Sequence, residues 1–218
     1  MSAIRLTHQE ARRVLRRDQS IHRTPPAPTV PAVICAVDPG VMHCGYAVLD
    51  GVEQLATSGT WIPRRTLSVL ERHLWLLSQL QDLLTAWQPG ILAYEEFVWQ
   101  VGDNGEYFVR GRPALERLIG GIQTLTLWPP HPVLMPLLPQ SWGRQLLGQA
   151  QHTKTQIAWA VNQRLQTSFK GDFFDNHQVD AIGIGLVALD NIKGQDYLQR
   201  YGKDDNAVQT SRRPTCKT

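Results

Sequence analysis

An apolar run at residues 32–40 ends in an acidic residue and a turn, and it constrains the fold more than any other stretch of the chain. Its valine and isoleucine residues favour an extended strand, which Pro39 and Gly40 end. A nearly continuous apolar run is typical of a strand that is buried on both faces of a sheet. We therefore expect Asp38 at the end of a buried strand. Residues 44–50 form a second β-rich run, and the two runs are predicted to pair as a hairpin.

The remaining hydrophobic patterns alternate between strand and helix. Further strands are predicted near residues 53–61, 91–95 and 133–138. Helices are predicted by their apolar periodicity, by capping boxes such as that of Thr153 with Gln156, and by stop signals such as Pro89-Gly90. They cover residues 68–87, 113–127, 153–165 and 176–191, with a shorter helix at 7–19. The resulting order of elements, βββαβαβαα from residue 32 onward, predicts an α/β fold in which Gly183 and Gly185 mark close packing of the last helix.

Length and composition favour one enzyme-sized domain inside the cell. The chain has 218 residues and no apolar run long enough to cross a membrane, and its first residues lack the apolar core of a secretory signal. The three cysteines are an odd number without metal-ligand spacing, which fits a reducing compartment. We therefore expect a cytoplasmic protein that does not associate with membranes.

Charge divides the chain into three parts. Residues 1–31 carry a net charge of +4, residues 32–192 carry −4 and residues 193–218 carry +3. The first part combines an arginine-rich segment with a proline-rich stretch that is typical of a stiff linker. We expect a basic N-terminal arm that binds DNA or a protein partner, a folded domain at 32–192 and a polar basic tail.

Four side chains are expected to meet where predicted strands and helices begin or end. Asp38 ends the first strand, Glu95 ends the fourth, and His177 and Asp180 lie three residues apart at the start of the last helix. Hydrolysis of a phosphodiester by divalent ions uses such a cluster of hard oxygen ligands from separate elements. The alternative interpretations are a turn residue for Asp38, a helix-start charge for Asp180 and a surface or core histidine for His177. Glu95 has no such simple alternative, because an unpaired buried carboxylate is costly.

Ordered motifs in residues 32–192 resemble those of the RuvC-like Holliday-junction resolvases, which have the RNase H-like fold. The first signature is similar to Val37-Asp38-Pro39-Gly40 with Gly45-Tyr46-Ala47-Val48, and the second acidic motif is similar to Ala93-Tyr94-Glu95-Glu96. The last motif resembles Gln178-Val179-Asp180-Ala181, preceded by His177. The resemblance implies a mixed five-stranded sheet with helices on both faces.

The resemblance also implies a function. It implies a homodimeric endonuclease for four-way and other branched DNA that depends on Mg²⁺, for which Mn²⁺ substitutes. Asp38, Glu95 and Asp180 would be metal ligands and catalytic residues, and His177 would be a ligand or would help to deprotonate water. The products would carry 5′-phosphate and 3′-hydroxyl ends.

Several residues are candidates for DNA contact. Arg144 and Lys154 resemble basic positions that the family uses near DNA, and Arg110 and Arg112 are further candidates for phosphate contact. Two aromatic residues after Glu95, Phe97 and Trp99, would either stack on unpaired bases or belong to the core.

Other functions remain open from the sequence. A less selective RNase H-like nuclease would act on flaps, forks or RNA–DNA hybrids, and an inactive scaffold would only bind DNA. An actin-like ATPase or sugar kinase also begins with a strand, an aspartate and glycines, but the chain has no second glycine-rich phosphate loop.

Overall fold

The structure is a computed structural model, and it describes residues 33–96, 112–149, 153–172 and 176–201. The strands are β1 Ile34–Asp38, β2 Cys44–Leu49, β3 Leu55–Trp61, β4 Ile91–Glu95 and β5 Val133–Leu137. The helices are α1 Val69–Trp87, α2 Arg112–Leu125, α3 Pro139–Leu147, α4 Lys154–Leu165 and α5 Asn176–Tyr201. The predicted N-terminal arm with its helix lies outside the described residues. No described helix is long and apolar enough to cross a bilayer.

The five strands form one mixed sheet in the order β3-β2-β1-β4-β5. The first two strands pair antiparallel as the predicted hairpin, and β3 extends the sheet antiparallel to β2. On the other side β1 pairs parallel with β4, and β4 pairs parallel with β5. This arrangement confirms the prediction of a mixed five-stranded sheet.

Each face of the sheet carries its own hydrophobic core. Ile34 and Ala36 of β1 contribute to the core shared with α3, α4 and α5. Cys35 and Val37 contribute to the opposite core, shared with α1 and α2. Alternate side chains of a strand point to opposite faces, so a strand covered on both sides reads as a continuous apolar run. Helices therefore cover both faces, as predicted.

Close packing of α5 on the sheet depends on its glycines. A Cβ atom at Gly185 would overlap the side chain of Leu49, and one at Gly183 would lie 3.1 Å from the Trp142 ring. The helix therefore rests directly on the central hairpin, which brings its first turn to the end of β1.

Two helix predictions need correction. The predicted order of elements omits α3, because only Trp142 and Gly143 of its nine residues are buried and it has no sustained apolar periodicity. Pro139 at its start and Gly148 at its C-cap are the local signals for this helix. The last helix also continues to Tyr201, ten residues beyond the predicted end. The prediction ended the helix where its apolar pattern stops, but the helical backbone continues.

Candidate active site

Two carboxylates lie at one edge of the sheet because of strand direction. Asp38 is the last residue of β1 and Glu95 is the last residue of β4, and these strands are parallel neighbours. The carboxyl ends of parallel strands meet at the same edge, so both side chains lie there. Asp38 is buried in spite of its charge.

The start of α5 reaches the same edge because a glycine leaves room for it. Gly45 of β2 pairs with Asp38, and a Cβ atom at Gly45 would overlap the backbone carbonyl of His177. A larger residue at this position would push the first turn of α5 away from β1. Since His177 and Asp180 are three residues apart, both side chains can face the strand ends.

His177 is held between Asp38 and a second histidine. Its Nδ1 lies 2.7 Å from Oδ2 of Asp38. Its ring also stacks on that of His43, with centroids 5.6 Å apart and an interplanar angle of 11°. The hydrogen bond to Asp38 raises the pKa of His177, although partial burial acts in the opposite direction.

Asp180 has one oxygen in an ion pair and one without a partner. Its Oδ2 contacts the ammonium group of Lys154, the first residue of α4. Its Oδ1 is buried and has no hydrogen-bond partner among the described residues. Burial raises the pKa of Asp180, and so does the negative charge of Asp38, while Lys154 lowers it.

Glu95 lies in the same negative field and is held by a tryptophan. The indole N–H of Trp142 donates to its Oε2 at 2.7 Å. Burial and the charge of Asp38 raise the pKa of Glu95 to about 7, and Asp180 adds to this shift. Carboxyl groups whose pKa is raised by burial and by neighbouring negative charge, as in Glu95 and Asp180, are typical of a functional site. Trp142 was not predicted, because it lies in the helix that the periodicity did not reveal.

Comparison with known proteins finds similarity to Holliday-junction resolvases in sequence and in structure. The chain is 25% identical over 174 residues to the crossover junction endodeoxyribonuclease RuvC of Akkermansia muciniphila, covering 77% of this chain and 98% of that protein. No protein-family model matches the chain.

Solved structures agree with that similarity. The structure of Thermus thermophilus RuvC with a Holliday junction substrate superposes with a TM-score of 0.59 at 19% identity, covering 75% of this chain and 96% of that chain. The yeast mitochondrial Holliday junction resolvase Ydc2 gives a TM-score of 0.52 at 15% identity, covering 87% of this chain and 90% of that one. The fold is that of RuvC.

Within this RuvC fold, the adjacent glutamates have different surroundings. Glu95 lies among the carboxylates, whereas the backbone N–H of Glu96 donates to the carbonyl of Leu137 at 2.9 Å. Glu95 is the glutamate that the resemblance implies as a ligand. Its role as a metal ligand remains a prediction.

Of the residues predicted to contact DNA, only Arg144 and Lys154 have side chains that the structure describes. Arg144 is exposed on α3, two residues after Trp142. Lys154 is half-exposed but is paired with Asp180. Phe97, Trp99 and Arg110 lie outside the described residues. Arg112 begins α2, and its side chain also lies outside them.

The carboxylates at this edge are suitable ligands for a divalent metal ion, but the described side chains are not arranged around one point. Among the described residues, no three histidine, cysteine, aspartate or glutamate side chains surround a common point. Instead Lys154 lies against Asp180, and Trp142 holds Glu95. The unpartnered Oδ1 of Asp180 and the mutual repulsion of the carboxylates both favour a cation there. A metal ion could use Oδ2 of Asp180 as a ligand only if Lys154 left that oxygen.

Proposed function

We propose that this chain is an endonuclease that hydrolyses phosphodiester bonds in four-way DNA junctions. The observation that carries the proposal is the convergence of Asp38, Glu95 and Asp180, from two strands and a helix, at one edge of a RuvC fold. The names of the relatives support the substrate class, since one is a crossover junction endodeoxyribonuclease and another was solved with a Holliday junction.

The three carboxylates would hold divalent ions, Mg²⁺ or Mn²⁺. When bound, such ions activate the attacking water and stabilise the leaving oxygen. The carboxylates supply hard oxygen ligands on rigid strand and helix ends, and the adjoining core keeps them in place. The products would carry 5′-phosphate and 3′-hydroxyl ends.

His177 would orient Asp38 and move a proton. Its contact with Asp38 holds the ring through Nδ1, and its stacking on His43 limits rotation. An imidazole held in this way presents Nε2 in a fixed direction, which suits it to accept the proton of the attacking water. If His177 were instead a metal ligand, His177→Asp would be expected to preserve cleavage in part.

We also infer that the chain acts as a homodimer. A four-way junction has two equivalent strands to be cut, and a two-fold dimer would present two copies of the same site to them. Sedimentation of the free protein and of its junction complex would measure the stoichiometry, and one protein chain per junction would contradict this inference.

The substrate assignment is tested with a panel of labelled nucleic acids. A four-way junction, a fork, a flap, a linear duplex and an RNA–DNA hybrid of the same sequence are incubated with the protein in Mg²⁺, Mn²⁺ or EDTA. The proposal predicts metal-dependent cleavage of the junction in preference to the duplex and the hybrid. Equal cleavage of all substrates would indicate an unselective nuclease, and binding without cleavage would indicate a scaffold.

A further inference from the structure

Two loops bring basic residues to the edge of the sheet that carries Asp38. The β1–β2 turn, residues 39–43, and the β3–α1 loop, residues 62–67, both lie there, because β2 begins and β3 ends at this edge. They carry His43, Arg64 and Arg65, and the first turns of α1 add Arg72. We call these four residues the basic rim.

Arg72 joins the two loops. Its Nη2 donates to the backbone carbonyl of Arg65 at 2.7 Å, and its Nη1 lies 2.9 Å from the sulfur of Met42. Its Nε is buried and has no hydrogen-bond partner in the described part of the chain. The guanidinium therefore holds the β3–α1 loop beside the β1–β2 turn.

The three arginines of the rim have no ion-pair partner in the part of the chain that the structure describes. Within the described ranges no carboxylate forms an ion pair with these arginines. Arg164 elsewhere, by contrast, pairs with Glu53 of the β2–β3 turn and with Asp190 of α5. Glu71 is close in sequence, but its carboxylate accepts the N–H of Ser68 in the capping box of α1. Arg64 and Arg65 are both exposed. An unbalanced group of exposed arginines is suited to bind an anion.

The rim is continuous with the carboxylate site. His43 follows Met42, and its ring stacks on His177, which in turn contacts Asp38. Arg65 is also close enough to His43 for their side chains to interact electrostatically. A DNA strand with one phosphate at the carboxylates would therefore meet the rim on the side of the site next to β2 and β3.

We propose that the basic rim binds a backbone phosphate of the DNA strand being cut, with Arg65 as the contact and Arg72 as a positioning residue. The inference rests on the proposed function and assigns its phosphate site. A guanidinium can donate two parallel hydrogen bonds to a phosphate, which fixes the strand as well as attracting it. The rim would also offset the repulsion between DNA and the three carboxylates.

The test measures how junction binding depends on salt. Binding of a labelled four-way junction in EDTA is followed by fluorescence anisotropy for the wild type and for Arg65→Gln. Loss of one phosphate contact should reduce the slope of log affinity against log salt by about 0.9. The affinity advantage of the wild type should then shrink about 3.5-fold between about 50 mM and about 200 mM salt. Lys193→Gln is the matched control, since Lys193 pairs with Glu53 beyond the other end of β2.

Arg72 is tested as a positioning residue through its coupling to Arg65. Arg72→Met should lower the slope by the same amount, and the double variant should show no further loss, because both changes remove one contact. A merely structural role would lower the melting temperature and leave the slope unchanged. If Arg72→Met does not fold, the proposal is tested with Arg65→Gln alone. Its affinity and that of the wild type are then compared on junctions that carry a single methylphosphonate beside the cleaved bond. Neutralising the contacted phosphate should abolish the difference between the wild type and Arg65→Gln.

The outcomes separate this inference from the proposed function. A wild-type slope in Arg65→Gln, together with normal cleavage by the wild type, would overturn the rim and leave the nuclease intact. A reduced slope in a protein that cuts no junction would support the rim as a DNA-binding surface while the nuclease assignment fails.

Discussion

The indole N–H of Trp142 donates a hydrogen bond to Oε2 of Glu95 at 2.7 Å, which links α3 to the carboxylate edge of the sheet. Trp142 is almost fully buried, so water does not replace this donor. A hydrogen bond to the ionised form lowers the pKa of a carboxyl group. It therefore opposes burial and the charge of Asp38, which together raise the pKa of Glu95 to about 7.

Trp142→Phe should raise the pKa of Glu95 further, by about one unit, because the substitution removes the donor and keeps an aromatic ring. The pKa is measured in the metal-free protein by NMR titration of the glutamate carboxyl carbon, with Glu95→Gln to assign the signal. Trp159→Phe is the control, since Trp159 is exposed on α4. An unchanged titration in Trp142→Phe would show that the hydrogen bond has no influence on Glu95.

Lys154→Met should strengthen binding of Mn²⁺ to the free protein, by about tenfold, or about 1.4 kcal/mol. Lys154 contacts Oδ2 of Asp180, so a metal ion must displace the ammonium before it can use that oxygen. Free Mn²⁺ is counted by electron paramagnetic resonance in the absence of DNA, with Lys193→Met as the control. Equal Mn²⁺ affinity in the wild type and Lys154→Met would contradict competition between the lysine and the metal.

The metal-free protein should lose stability as the pH rises from about 5 to about 8. The folded pKa of Glu95, about 7, lies above its ordinary value of 4.5, so the folded state binds more protons between these values. This contribution is complete below about 4.5 and is lost as the pH passes through about 7, and it amounts to on the order of 3 kcal/mol at most.

Glu95→Gln isolates that contribution because glutamine stays neutral. Urea midpoints in EDTA at pH 5 and pH 8 should differ less in Glu95→Gln than in the wild type, and Glu96→Gln should retain the wild-type difference. The same drop in all three proteins would assign the pH dependence to other groups, such as His177 and Asp180.

Much of the fold could be predicted from the sequence, because its signals are local. The capping box of Thr153 and Gln156 predicted the start of α4, and Pro89-Gly90 marked the turn between α1 and β4. Asp38 and Glu95 were predicted from the sequence to end two strands and to lie close together, and the parallel pairing of β1 with β4 places both at one edge. The resemblance to the RuvC-like resolvases then supplied the mixed five-stranded sheet with helices on both faces.

Contacts between distant residues could not be predicted in the same way. The contact between Lys154 and Asp180 arises because α4 packs against α5, which no local pattern reveals. Contact of Lys154 with DNA phosphates remains a prediction. The link between Arg72, Arg65 and Met42 depends on two loops that meet only in the folded chain. No periodicity or motif in the sequence contains that information.

The central claim is that Asp38, Glu95 and Asp180 form a metal-dependent site that cuts junction DNA. Asp38→Asn removes a negative charge at that site with almost no change in shape, and it leaves the basic rim and Arg144 in place. The decisive measurement is single-turnover cleavage of one four-way junction in Mg²⁺ by the wild type and by Asp38→Asn, with junction affinity measured in parallel. We predict a loss of cleavage rate of at least about 100-fold, the scale of one preorganised transition-state contact, with affinity retained. Cleavage by Asp38→Asn at the wild-type rate would contradict the account.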